Sequence, residues 1–309
     1  MTPLAIRSRD NPSLAMVRRA LRDPGAYRRD GALLWLEGDH LLRACVARGW
    51  PLQQVLVAES AWARADLQAL AQQARRVLLL PDALHKELSA LESPAAIGAL
   101  IERPPAVALQ DGVGTLLLDR LQDAGNVGSI LRSAAALGVG QVVALKGTAA
   151  LWSPKVLRAA MGAHFALALH EGLVLDDLQA LHTPWVATSS HAPQALHQCV
   201  LPQPCVWVFG HEGQGVAPEL MARCALTLRI PQPGGEESLA WSSARSRDGG
   251  AAPASRCALH SVTGSHINRW RFHAVSGECT DALISARRFP RAAAGRAERL
   301  SDREHHWLR

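Results

Sequence analysis

Four apolar residues running into a glycine-rich loop constrain the fold of this chain more than any other stretch. Val206-Trp207-Val208-Phe209 lead directly into Gly210-His211-Glu212-Gly213-Gln214-Gly215. Short runs of Val and aromatic residues bounded by glycines read as buried strands. Glycines placed directly after a strand free the backbone to turn at positive φ and to come close to a ligand. The arrangement repeats within the span Pro204 to Leu239. A second apolar run, Ala225 to Ile230, leads into PQPGGEESL, where Glu236 and Glu237 stand beside the glycines as Glu212 stands beside the first set. Strands followed by backbone-exposing loops at their carboxyl ends fit an open α/β sheet, which binds ligands at that edge. Two ordinary tight turns would give the same residues, and on composition alone both readings stand. Neither loop is a P-loop, because no Lys-Ser/Thr follows the glycines. Gly210, Gly213 and Gly215 form G-x-x-G-x-G, the wrong order for the dinucleotide fingerprint.

The rest of the chain alternates in the same manner. Strands are predicted at Ala32–Leu36, Gln54–Ala58, Val77–Leu80 and Ala96–Ile101. Helices are predicted at Ser13–Leu21, Asp39–Arg48, Ala61–Arg75 and from Asp82, read as an N-cap, to Leu91. These make an α/β module over residues 1–103. Residues 104–114, with prolines and glycines, form a linker. Strands follow at Leu116–Leu118, Gln141–Ala144, Ala166–Leu169, Trp185–Thr188, Val206–Phe209 and Ala225–Ile230, with helices at Val127–Leu137, Pro154–Met161 and Val174–Leu181. That alternation predicts a mostly parallel sheet over residues 115–240, covered on both faces. A length of 309 residues, 48% apolar, also suits two domains with sizeable cores.

Other classes are disfavoured. No run of 18 apolar residues predicts a membrane span, and the N-terminus lacks the apolar region of a signal peptide. The six cysteines never reach C-x-x-C spacing and read as reduced thiols of a cytoplasmic protein, not as zinc ligands. The net charge of +6 misleads: residues 1–240 carry 21 Lys+Arg and 21 Asp+Glu, so the excess lies in the tail. A local feature says more. Residues 1–50 hold nine Arg against five acids, a cluster suited to phosphates or to a solvated basic face.

FGHEGQG followed by IPQPGGEESL resembles the second and third motifs of the SpoU-type RNA ribose 2'-O-methyltransferases, of the knotted SPOUT superfamily. The first motif of that family is matched upstream by LLLDRLQDAGNVGSILRSAAALGV, Leu116 to Val139. Three motifs in order are a specific signal. The resemblance implies a trefoil-knotted α/β methyltransferase domain that works as a homodimer, without metal, on RNA, with ribosomal RNA favoured over transfer RNA. It implies S-adenosyl-L-methionine as methyl donor, with Gly210, Gly213, Ile230, Ser238 and Leu239 lining its pocket. On their own residues, Ile230 and Leu239 would be core positions. Asn126, Arg132 and Glu212 are implied as the catalytic set. Read without the resemblance, Asn126 is a helix N-cap, Arg132 a surface arginine and His211 a loop histidine or a second candidate base. The N-terminal segment is similar to the RNA-docking module that many members carry, with Arg7, Arg9, Arg28 and Arg29 as phosphate contacts.

The tail departs from the family. Where the pattern expects Asn, then an Ala/Val-rich helix that closes the knot and packs the dimer, the chain reads Ala240-Trp241-Ser242-Ser243-Ala244-Arg245. Residues 241–309 contain 12 Arg and no Lys, and read as an irregular basic tail or as the product of a frame change near Leu239. Two rivals to an active methyltransferase follow. One is an RNA-binding protein of the same fold with impaired chemistry. The other is a doubly wound nucleotide-dependent enzyme, which the missing G-x-G-x-x-G disfavours.

Overall fold

A computed structural model describes residues 2–230 and the backbone of residues 260–264 and 267–271, two short antiparallel strands. The expectations for Ser238 and Leu239, the departure at Ala240, the frame change, the knot closure and the remainder of the tail fall outside the described residues.

Five strands form the first sheet: β1 (Leu4–Ala5), β2 (Leu33–Glu37), β3 (Leu52–Ala58), β4 (Ala74–Leu80) and β5 (Ile97–Glu102), in the order β1-β4-β3-β5-β2. β1, β4 and β3 are parallel, and β5 runs antiparallel to β3 and β2. The alternation along β3 explains why both faces are covered. Leu56 packs with Leu14 and Val17 of helix α1 (Pro12–Arg22). Its neighbours Val55 and Val57 join Leu41 and Leu42 of α2 (Asp39–Ala47) and Leu67 and Leu70 of α3 (Ala65–Ala71). Asn11 caps α1, its side-chain oxygen accepting from the Ser13 N–H at 2.9 Å, with Pro12 in the first turn.

Residues 103–114 contain no helix or strand and lead into the second sheet. Its strands are β6 (Thr115–Leu118), β7 (Gln141–Leu145), β8 (Ala168–Leu173), β9 (Trp185–Thr188), β10 (Val206–Phe209) and β11 (Leu226–Leu228). The order is β11-β9-β10-β6-β7-β8, and every pair is parallel. Central strands of such a sheet are buried on both faces, which is why β6 and β7 read as apolar runs after their first residues, Thr115 and Gln141. Helix α5 (Ala124–Ala136) follows β6, α6 (Pro154–Ala160) follows β7, and α7 (Pro218–Met221) follows β10. After β6 the chain crosses to β7. After β10 it passes over β9 to β11, in the opposite direction. The two crossovers diverge between β6 and β10, so the carboxyl ends of these neighbours form a topological switch point.

The two sheets share one apolar cluster. Trp50 of the first part meets Phe165 edge-on at 5.1 Å between ring centroids and Trp152 at 6.1 Å. The Tyr27 hydroxyl donates to the Glu171 carboxylate, whose Oε1 also accepts the Leu151 N–H at 2.6 Å. Arg158 of α6 reaches Glu37 of β2 at 3.6 Å.

The expected elements hold with particular exceptions, the first of them a shift: the strand predicted at Ala166–Leu169 is Ala168–Leu173, after a 3-10 turn at Ala163–Ala166. The helix predicted at 61–75 is only Ala65–Ala71, because β4 begins at Ala74. Asp82 does not cap α4 (Asp82–Lys86), which is shorter than predicted. Pro81 takes the cap position and Asp82 instead accepts hydrogen bonds from the Ser60 N–H and hydroxyl. The helix predicted at 174–181 is a single 3-10 turn, Leu175–Leu178, where Asp177 bonds the Val174 N–H. Asn126 is not an N-cap: Asp123 caps α5, accepting the Asn126 N–H at 2.7 Å. β1 and α7, each too short for a periodic pattern, had no expectation. Among the described residues no helix is long and apolar enough to cross a membrane.

Candidate active site at the carboxyl ends of β6 and β10

Glu212 stands at the switch point, in the loop after β10. Its carboxylate accepts the main-chain N–H groups of Gln122 at 3.2 Å and Asp123 at 3.1 Å, and the Asn126 side-chain amide at 3.3 Å. Partial burial pushes this carboxyl up, but the N–H donors around it outweigh burial and hold it below its ordinary range. Glu212 therefore stays ionised at neutral pH. A carboxylate only accepts, so the Asn126 NH2 faces Glu212 and the amide oxygen is turned away from it.

The loop closes on itself. The N–H of His211 donates to the Gly215 carbonyl at 2.9 Å, and the N–H of Gly215 returns to the His211 carbonyl at 2.8 Å. A Cβ on Gly210 would lie 2.1 Å from the Gly215 carbonyl carbon, so glycine is required there by the returning strand of the loop itself. At Gly213 the nearest neighbours of such a Cβ are 3.8 Å away, on the His211 ring. His211 Nδ1 accepts from the N–H groups of Gly213 at 3.0 Å and Gln214 at 3.2 Å, which commits that nitrogen to the loop and leaves the proton on Nε2. The structure thus gives His211 a loop-ordering role.

Sequence reasoning passed over Asp119 and Arg120, although they follow β6 directly. Asp119 is 2% exposed. It holds the Arg120 guanidinium through two oxygens, at 2.8 and 3.1 Å, and accepts the Ala217 N–H at 2.8 Å. Arg120 has φ of +56° and also donates to the Gln214 side chain at 3.2 Å. Two further bonds draw in the turn after β7: Thr148 Oγ1 donates to the Leu118 carbonyl at 3.0 Å, and the Ala149 N–H to the Leu121 carbonyl at 2.7 Å.

The remaining predicted residues are distributed as follows. Arg132 lies six residues beyond Asn126 on α5, about 9 Å along the axis and roughly a third of a turn around it. It is half-buried, and among the described residues its side chain has no ion pair or hydrogen bond. Ile230 is half-buried, just past the carboxyl end of β11. Val208 is level with Ala187, and Ala187 with Thr227, so Gly210 and Ile230 emerge on the same edge of the sheet with β9 between them, about 10 Å apart. Arg7, Arg9, Arg28 and Arg29 are each engaged, with Glu59, Glu87, Glu171 and Asp23. Arg28 also lies over the Tyr27 ring at 5.3 Å. Among the described residues no group of three or more His, Cys, Asp or Glu is placed to hold a metal.

Residues 114–246 match the SpoU rRNA Methylase family. An uncharacterized tRNA/rRNA methyltransferase of Synechocystis is 30% identical over 256 residues, covering 76% of this chain and 88% of that protein. The Bacillus subtilis 23S rRNA (guanosine(2553)-2'-O)-methyltransferase RlmP is 28% identical over 207 residues, covering 66% of this chain and 82% of that protein. Among solved structures, the SpoU methyltransferase AviRb of Streptomyces viridochromogenes, crystallised with AdoMet, superposes with a TM-score of 0.66 at 24% identity, covering 74% of this chain and 92% of that one. That last likeness concerns the fold.

Proposed function

Since this chain belongs to the SpoU family of RNA methylases, we propose that it transfers a methyl group from S-adenosyl-L-methionine to a ribose 2'-hydroxyl of RNA, ribosomal RNA in the first place. The observation that carries the reading is the Glu212–Asn126 contact at the switch point between β6 and β10. The donor would supply an electrophilic methyl on a sulfonium, with a neutral thioether as leaving group and the 2'-hydroxyl proton passing to solvent water, and much of the acceleration of such an in-line displacement comes from holding the partners in place.

In this reading each residue has a separate task. Glu212 fixes the Asn126 amide so that its oxygen accepts a hydrogen bond from the 2'-hydroxyl and orients it. Arg132 keeps its proton near neutral pH, as guanidinium groups do. It binds the phosphate beside the target ribose and stabilises the developing alkoxide, and its lack of a partner among the described residues supports that role. The main chain at Gly210, Gly213 and Ile230 receives the adenosine part of the donor, completed by Ser238 and Leu239. Arg7, Arg9 and Arg29 contact RNA phosphates. Their present ion pairs are at the surface, where such pairs contribute about 0–1 kcal/mol and exchange readily for a phosphate. Arg28 belongs to the same set, although its Glu171 partner ties it to the contact between the sheets. The reading includes a homodimer in the cytoplasm.

Calorimetric titration of the folded protein with S-adenosylhomocysteine tests the proposal. One-to-one binding is the expected result. No binding by protein shown to be folded would overturn the methyltransferase reading and leave an RNA-binding protein of the same fold.

A further inference from the structure

We propose that Arg120 is a positioning residue for the reaction: it locks the Gly210–Gly215 loop against the turn after β6 and so sets Glu212 opposite Asn126. The inference rests on the proposed function for its catalytic meaning, but its structural content stands on Arg120 alone.

Neighbouring side chains in an extended chain point to opposite sides and do not meet. Arg120 escapes this by adopting φ of +56°, a conformation that bulky L-residues avoid. Its side chain folds back over Asp119, donating from Nε to Oδ1 and from Nη2 to Oδ2. The other end of the guanidinium donates from Nη1 to Gln214 Oε1. The buried Asp119 accepts the Ala217 N–H as well, at the exit of the same loop. The stem of Arg120 lies against the turn after β7, its Cγ 3.2 Å from where a Cβ on Gly147 would stand. One side chain therefore touches the turns after β6, β7 and β10. The residues immediately following it, Gln122 and Asp123, are those whose N–H groups hold Glu212. Only a guanidinium offers two parallel N–H groups to a carboxylate and a further one to an amide oxygen. Strained backbone persists where the surroundings over-determine it, and such outliers collect at functional sites.

Two variants of the full chain, Arg120→Gly and Arg120→Lys, separate this role from simple stability. Glycine adopts positive φ freely, which offsets only part of the loss of the guanidinium beside the buried Asp119, so R120G is expected to fold but to melt below the wild type. Its amide hydrogen exchange at Gly215 and Ala217, read in the unliganded protein, should rise about tenfold or more beyond any rise in either sheet. S-adenosylhomocysteine should bind R120G more weakly, and kcat should fall more than the KM for RNA rises. R120K, with charge but no fork, should not restore either readout. Wild-type exchange in the loop of R120G, full restoration by R120K, or a rise in the loop no larger than the rise in the two sheets would each overturn the inference. If the wild type fails to bind S-adenosylhomocysteine, the function reading falls, while the exchange measurement still decides whether Arg120 orders the loop.

Discussion

Asn126 and Arg132 share a helix but not a face, which suits the separate tasks proposed for them. Asn126 is held by Glu212, whereas Arg132 has no partner among the described residues. A charged guanidinium that binds phosphate and alkoxide together depends on its planar fork, which lysine lacks. Arg132→Lys is therefore expected to lower kcat by about a hundred- to a thousandfold while donor affinity stays at the wild-type level, since one lost transition-state donor costs on that order. Single-turnover methylation beside calorimetry checks this, and a near wild-type rate would remove the fork from the mechanism. The pairing of Asn126 with Glu212 was legible only through the motif order. Asn and Asp are both favoured caps, and nothing local says which of Asp123 and Asn126 caps α5. The contact to Glu212, 86 positions away, decides it by taking the Asn126 side chain.

At the scale of elements, the packing of α5 on α6 places the helix that carries Asn126 and Arg132. A Cβ on Gly128 would stand 2.3 Å from the Ala159 Cβ and 2.8 Å from the Ala159 carbonyl carbon, so the two helices approach at backbone distance. Gly128→Ala gains about 1 kcal/mol in helix propensity, but forcing a methyl against backbone costs about 1–3 kcal/mol. A net loss of stability is expected, with α5 displaced and the Glu212–Asn126 contact disturbed. Urea denaturation reads the first effect, and a midpoint at or above wild type would show that the helices separate freely. Longer strands and helices were readable because their periodicity spans enough residues to register. The miscast elements were short or hemmed in. The helix predicted at 61–75 loses its end to β4, and the one at 174–181 shrinks to a single turn whose Asp177 bonds the chain locally.

At the scale of the whole molecule, folding is expected to weaken in acid through His164, packed beside Trp152 at the contact between the sheets. His164 is fully buried, with its ring 5.0 Å from that of Trp152 and Nε2 bonded to the Leu151 carbonyl at 2.7 Å. Burial pushes its imidazolium down to about 4, against the pull of that hydrogen bond. The unfolded chain therefore takes up a proton near pH 6.5 that the folded chain refuses until about pH 4. Stability is full above the unfolded value and is lost as pH falls through this window. The His164 share of the loss between pH 7 and pH 5 is about 2 kcal/mol. His164→Asn should be less stable at pH 7 yet lose less on acidification, by about that amount. Parallel denaturation curves at the two pH values measure the difference, and equal pH dependence in both proteins would contradict the assignment.

Strand and helix order, the parallel character of the second sheet and the loops at its carboxyl edge are properties of the sequence by itself. Each follows from local periodicity and from glycines placed directly after apolar runs, which are short-range facts. The order β11-β9-β10-β6-β7-β8 came only from the tertiary structure, and with it the switch point that brings residue 126 to residue 212. So did the place of Arg120, whose strained backbone and paired side chain depend on Asp119, Gln214 and the turn at Gly147 meeting in space. Strand pairing is a long-range choice among surfaces that all bury apolar area, and no local pattern encodes which neighbour each strand takes.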